Sequence, residues 1–149
     1  MIGPSVRKLI LFCLLTVFIQ ACSPELVRVD FSKHQTAEIK IPGKQGEVVD
    51  LYIDFDLEFD SLPDMVMEFE FYQGNLLLFK GGIDPLAVLS PEREFTEENG
   101  GGKIHWTCYG KLQGDFSPPA DTLFTVRSTL VMNQAPGLKI NKFELVLVR

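Results

Sequence analysis

The sequence predicts an all-β fold: an antiparallel β-sandwich of about eight strands, with a closed β-barrel as the alternative. Three observations lead there. Across Val48–Asp60, Val49, Leu51, Ile53, Phe55, Leu57 and Phe59 share one parity, and Asp50, Tyr52, Asp54, Asp56, Glu58 and Asp60 share the other. Successive side chains of a strand point to opposite faces, so this is a long strand with one apolar and one acidic face. Turn signals then separate several further alternating segments. Finally, behind residue 21 no stretch of ten or more residues carries a convincing helical period. The apolar face of the long strand needs a second layer of extended chain to cover it, and two such layers make a sandwich.

The other elements follow in order. Leu26–Phe31 alternates through Val27, Val29 and Phe31. Thr36–Ile41 alternates through Ala37, Ile39 and Ile41, and Pro42-Gly43 ends it. Lys44-Gln45-Gly46 turns into the long strand, and Ser61-Leu62-Pro63-Asp64 breaks it. Met65–Tyr72 puts Met65, Met67, Phe69 and Phe71 on one face, and Gln73-Gly74-Asn75 turns the chain. Leu76–Phe79, apolar throughout, reads as a short strand buried on both sides, with Gly81-Gly82 as its end. Ile83–Leu89 contains Pro85 and reads as an irregular crossing or edge. Glu92–Glu98 has room for a short strand before the turn Asn99-Gly100-Gly101-Gly102. Lys103–Tyr109, Thr122–Met132 and Leu138–Val148 complete the set, with a Pro118-Pro119 loop between the first two.

Of 149 residues, 14 are Lys or Arg and 20 are Asp or Glu, a formal net charge of −6. No basic stripe stands against that balance, so a nucleic acid partner is not expected. No H-E-x-x-H, H-x-x-x-H or G-x-S-x-G pattern occurs. The sequence therefore points to a non-enzyme with no cofactor and no metal.

The N-terminus reads as an export signal over 1–21. Arg7 and Lys8 supply positive charge, Leu9–Ile19 is an 11-residue run broken only by Thr16, and Ala21 precedes Cys22. At about 1.5 Å per residue that run spans roughly 17 Å, short of the ~30 Å hydrocarbon core. Ile19-Gln20-Ala21-Cys22 resembles the lipobox of bacterial lipoproteins, with Gln20 where a smaller residue is usual. The resemblance implies that Cys22 becomes the first mature residue and carries a diacylglycerol on its thiol and an acyl chain on its amine. Two or three chains anchor stably where one is marginal. Ser23 in the next position resembles the choice that sends lipoproteins to the outer membrane. An ordinary secretory signal and a single membrane span are the alternatives. The expected division is a signal over 1–21, a lipidated tether over 22–25 and one β-sandwich domain over 26–149. Removing the first 21 of 149 residues leaves 128, and losing Arg7 and Lys8 moves the formal charge from −6 to −8. Cys13 leaves with the signal and Cys22 carries lipid, so Cys108 has no partner for an intramolecular disulfide and reads as a small buried side chain.

Two faces bear on binding. Asp54, Asp56 and Glu58 suggest a cation, but same-face residues on a strand sit about 6.6–7 Å apart while Ca²⁺ ligands lie about 2.4 Å from the ion. A solvated acidic face is the better reading. If Met65–Tyr72 paired with Val48–Asp60 as a matched hairpin, Glu68 and Glu70 would lie opposite Asp56 and Asp54, and like charges directly opposite are destabilising. The two strands are therefore expected in a shifted register or in different sheets, or facing a cation or basic partner. Tyr52 and Tyr72 share the acid-bearing parities, so Tyr52, Asp54, Asp56, Glu70 and Tyr72 are the candidate ligand or partner face. Trp106 shares parity with Ile104 and Cys108 and is expected in the core, with His105, Thr107 and Tyr109 on the other face.

The expected function is that of a lipid-anchored envelope protein, not a catalyst but an accessory or interaction subunit of a larger assembly at the outer membrane, with an envelope protein as partner. Pro136-Gly137-Leu138 followed by Phe143–Leu147 is similar, over a turn and one alternating strand, to the end of gliding-motility lipoproteins of Bacteroidota. The alternative function is a β-sandwich module that binds carbohydrate or another small ligand, which would show a concave face with at least two exposed aromatics.

Overall fold

The computed structural model describes residues 24–149. The expected export signal, its helix, Cys22 and Ser23 lie outside the described residues. Nine strands follow: β1 (Glu25–Asp30), β2 (Thr36–Gly43), β3 (Val49–Phe59), β4 (Met65–Gln73), β5 (Leu76–Ile83), β6 (Ser90–Asn99), β7 (Lys103–Phe116), β8 (Thr122–Met132) and β9 (Lys139–Val148). They form two antiparallel sheets that do not close on each other, one of five strands in the order β1-β9-β3-β7-β6 and one of four in the order β2-β8-β4-β5. The fold is a β-sandwich, and the barrel alternative is set aside.

Strand β3 lies at the centre of the larger sheet, between β9 and β7. Its six odd-numbered side chains are all buried, none more than 4 % exposed. The layer that covers them comes from the second sheet: Met65, Met67, Phe69 and Phe71 of β4 and Phe124, Val126 and Leu130 of β8 are all in the same core. The Phe116 ring, from the larger sheet, stacks on Phe71 at 4.4 Å and meets Phe124 edge-on at 5.3 Å, so aromatic contacts join the two layers. Burying a large apolar side chain is worth about 1.5–3 kcal/mol, and all six of this row are buried.

The feared hairpin between β3 and β4 does not form. Residues 60–64 carry the chain from one sheet to the other, and β4 pairs with β8 and β5 instead. Glu70 consequently stands opposite Arg127 on one side and Lys80 on the other.

Two expectations need correction, and a third is extended. Leu76–Phe79 is not buried on both sides: β5 is the outer strand of its sheet, and Leu76, Leu77 and Phe79 are exposed while Leu78 packs against the core. An all-apolar run reads the same in a central strand and in an edge strand whose neighbour is missing. Gly81-Gly82 does not end that strand but continues it. The missing side chains leave room for neighbours, since a Cβ would come 2.8 Å from the Phe79 ring at Gly81 and 3.1 Å from Val66 at Gly82. Glu92–Glu98 belongs to a full edge strand, β6, which accounts for nine strands where about eight were expected.

Between β5 and β6 the chain crosses from the smaller sheet to the larger. Leu86 is buried on the way, Leu89 N–H donates to the Lys111 carbonyl at 2.9 Å, and Val88 lies over Gly110. β1 and β2 meet at one side of the sandwich, which leaves β5 and β6 as the strands bordering the opposite side.

Candidate functional site

The five residues singled out from sequence do not form one face. Tyr52, Asp54 and Asp56 point outward from β3 in the larger sheet, whereas Glu70 and Tyr72 point outward from β4 in the smaller one. The core separates the two groups.

On the larger sheet, the acids of β3 are answered by side chains from its neighbours. Lys111 of β7 lies 2.8 Å from Asp50. Asp54, only 7 % exposed, meets Arg28 of β1 at 3.0 Å and Lys142 of β9 at 2.7 Å. Asp56 has His105 Nε2 at 2.9 Å and accepts from the Asn141 amide at 2.9 Å. Glu58 accepts from Lys139 at 2.9 Å and from Asn141 at 3.0 Å. Asn141 reaches both carboxylates because the β3–β9 register shifts between Asp56 and Leu57, leaving it as the extra residue of a bulge.

The titration behaviour follows the contacts. Hydrogen bonds from Asn141 and then Lys139 pull Glu58 down to about 2. Burial pushes Asp56 up, but the hydrogen bonds from Asn141 and His105 together outweigh it and the net shift is downward. Arg28 is held more firmly protonated by Glu25 first and Glu144 second. Among the described residues, no group of three or more His, Cys, Asp or Glu is placed to hold a metal ion.

Tyr52 stacks on Tyr109 with ring centroids 5.5 Å apart, and the Arg93 guanidinium sits 5.0 Å from the Tyr109 ring. Burial, then the nearby Glu92 carboxylate, raises the Tyr52 phenol. On the smaller sheet the Tyr72 hydroxyl donates to Glu70 at 2.7 Å and Lys80 donates to the same carboxylate at 2.8 Å. Arg127 lies 4.9 Å over the Tyr72 ring and pairs with Glu38 at 2.6 Å. Both tyrosines thus have ring or hydroxyl engaged within the protein, and no groove holds the two together.

Trp106 faces inward as its parity implied, but it is only half-buried because it stands beside the edge strand. Its ring meets Phe55 edge-on at 4.8 Å and its Nε1–H donates to Glu94 at 3.1 Å. Cys108 is buried, and burial pushes its thiol up to about 11, well away from a nucleophile's range.

None of the candidate residues singled out from sequence lies on β6. All ten of its residues are exposed, although it is hydrogen-bonded to β7 along its length. Pairing with β7 puts Glu94, Thr96 and Glu98 on the inward parity beside Cys108, Trp106 and Ile104, so the strand brings polar groups where a core strand would bring apolar ones. Glu92, Glu94, Glu97 and Glu98 form no salt bridge among the described residues, in contrast to the answered acids of β3. β6 is one of the two outer strands of the sheet, the other being β1, and its far side has no strand paired to it among the described residues. The run of Glu in Glu92–Glu98 was the available signal; that its strand would lie at an edge was not.

What the fold and these surfaces define is an antiparallel β-sandwich with a charge-balanced centre and one acidic, uncovered edge. The chain matches no known family model, no curated protein and no solved structure.

Proposed function

We propose that this protein is a membrane-anchored envelope lipoprotein, held by lipid on Cys22, that serves as a non-catalytic accessory or interaction subunit of a larger envelope assembly, with the outer membrane as its site. The observation that supports an interaction role is β6. An edge strand offers a row of unpaired N–H and C=O groups, and an extended segment of a partner can add to it. Four glutamates along that edge, none of them neutralised by a salt bridge among the described residues, repel a second copy of the same edge and favour a basic strand. The anchor is supported by Ile19-Gln20-Ala21-Cys22 and by the start of β1 at Glu25, which leaves almost no linker between lipid and domain.

The test is affinity capture of the acylated protein from detergent extracts of the envelope, run beside the variant Glu94→Lys/Glu97→Lys/Glu98→Lys. An envelope protein retained by the native chain, released by moderate salt and absent from the variant is the expected result. If no partner is retained and the protein binds glycans on an array, the accessory reading fails. The carbohydrate reading has less beneath it, because it needs two free aromatic faces at one groove.

A further inference from the structure

We infer that the end of the sandwich from which Pro24 leads back to Cys22 is a lipid-contact surface, with Leu76, Leu77, Leu123 and Val48 resting in the headgroup layer of the membrane that holds the anchor. This rests on the lipoprotein reading above and adds to it how the domain stands on the membrane.

The strand register gathers these residues at one end. In the larger sheet Glu25 pairs with Val148, which pairs with Asp50, and the neighbouring Val49 pairs with Phe116. In the smaller sheet Pro42 pairs with Leu123, Phe124 with Gln73, and Gln73 with Leu76. Arg149 ties the two sheets together here, its backbone N–H donating to the Pro24 carbonyl at 3.1 Å and its side chain to the Pro42 carbonyl at 2.7 Å. Leu76 is 63 % exposed, Leu123 60 %, Val48 45 % and Leu77 44 %. These four apolar side chains share one end of the sandwich, where covering them is favourable.

Covalent geometry says what that cover is. Each residue of extended chain spans at most ~3.5 Å, so Pro24 stands within roughly 10 Å of an acylated Cys22. The headgroup layer itself is about 5–7 Å deep on each side of the hydrocarbon. A domain held that close turns this end toward the lipid, and interfacial apolar side chains insert to about that depth. Leu62, Val66 and Val131, the exposed apolar residues toward the other end of the smaller sheet, lie beyond that reach.

The experiment uses the full-length acylated protein in phosphatidylethanolamine–phosphatidylglycerol vesicles that contain a lipid spin-labelled near the headgroup. An environment-sensitive fluorophore is placed at Asn75→Cys in the β4–β5 turn or, as a control, at Gly100→Cys in the β6–β7 turn at the far end. The probe at 75 is expected to be quenched at least about twofold and the probe at 100 scarcely at all, as interfacial insertion of one end requires. Adding Leu76→Ser/Leu77→Ser/Leu123→Ser should abolish quenching at 75 while the protein still floats with the vesicles. Acylated, vesicle-bound protein with equal, low quenching at both positions would overturn the lipid-contact surface and leave the anchor standing. Protein without acyl mass that stays in the aqueous fraction would remove the anchor and this inference together.

Discussion

Asp54 and Glu144 stand directly opposite each other on β3 and β9, and one guanidinium holds both: Arg28 Nη1 lies 3.0 Å from Asp54 and 2.6 Å from Glu144. Facing like charges destabilise a sheet, and this pair is offset by Arg28, which reaches both carboxylates from β1, and by Lys142 of β9, which reaches Asp54 alone. Arg28→Ala is expected to lower stability by about 2 kcal/mol, after allowance for partial exposure of the network. Arg28→Lys should restore only part of that, because an ammonium lacks the fork that lets a guanidinium hold several carboxylates. In a Glu144→Gln background the same Arg28→Ala change should cost markedly less. Urea denaturation of the four members of the cycle checks this, and an unchanged loss in both backgrounds would separate Arg28 from the carboxylate pair.

Acid should weaken the larger sheet. Glu58 is held at about 2 against a usual 4.5, and Asp56 is shifted the same way. A carboxylate with a depressed folded value contributes its stability above the unfolded value and loses it as pH falls through the folded one. The window for Glu58 therefore runs from about 4.5 down to about 2. Thermal melts across that range should show a falling Tm, less steeply for Glu58→Gln than for the native chain. An equally steep fall in the variant would mean that Asn141 and Lys139 do not hold Glu58 in solution.

Cys108 should be inert while the protein is folded. It is buried, and its thiol is pushed up to about 11 by loss of water. With an aromatic disulfide reagent at neutral pH, labelling of Cys108 should follow the unfolding rate and become rapid in denaturant. Fast labelling of the native protein would place the thiol at the surface.

Gly110 is set by what crosses it. A Cβ there would come 2.5 Å from Val88, 2.6 Å from the Ser90 carbonyl oxygen and 2.7 Å from Pro91. Gly110→Ala should cost about 1–3 kcal/mol, as overpacking does, because backbone on two sides prevents the site from relaxing. At Gly100, where no atom lies within 4 Å of an added Cβ, the same substitution should change the denaturation midpoint little. Similar losses at both positions would argue against this crossing over Gly110.

How much of this could be read from the chain depended on the range of the interactions. The period of two in Val49–Phe59 is local, so the strand, its buried face and the need for a second layer were legible. The like-charge argument excluded a matched β3–β4 hairpin and allowed for separate sheets. It could not foresee the opposition that does occur, Asp54 against Glu144, because those residues meet only once the last strand lies beside the third. Arg28 was invisible for the same reason: its role needs β1 next to β9 and β9 next to β3. Tyr52 and Tyr72 have matching sequence surroundings and lie on opposite sides of the core, since parity assigns a face within a sheet but not the sheet. Leu76–Phe79 reads as buried on both sides, and Glu92–Glu98 carries no sign of an edge, because position in the sheet, central or edge, decides exposure and is not local.

The proposed function is tested most directly by the mass of the N-terminal peptide of protein taken from envelope membranes. A mature chain that begins at Cys22, with diacylglycerol on the thiol and an acyl chain on the amine, is the expected result. An N-terminal peptide in which Cys22 is unmodified and still preceded by uncut residues would contradict it.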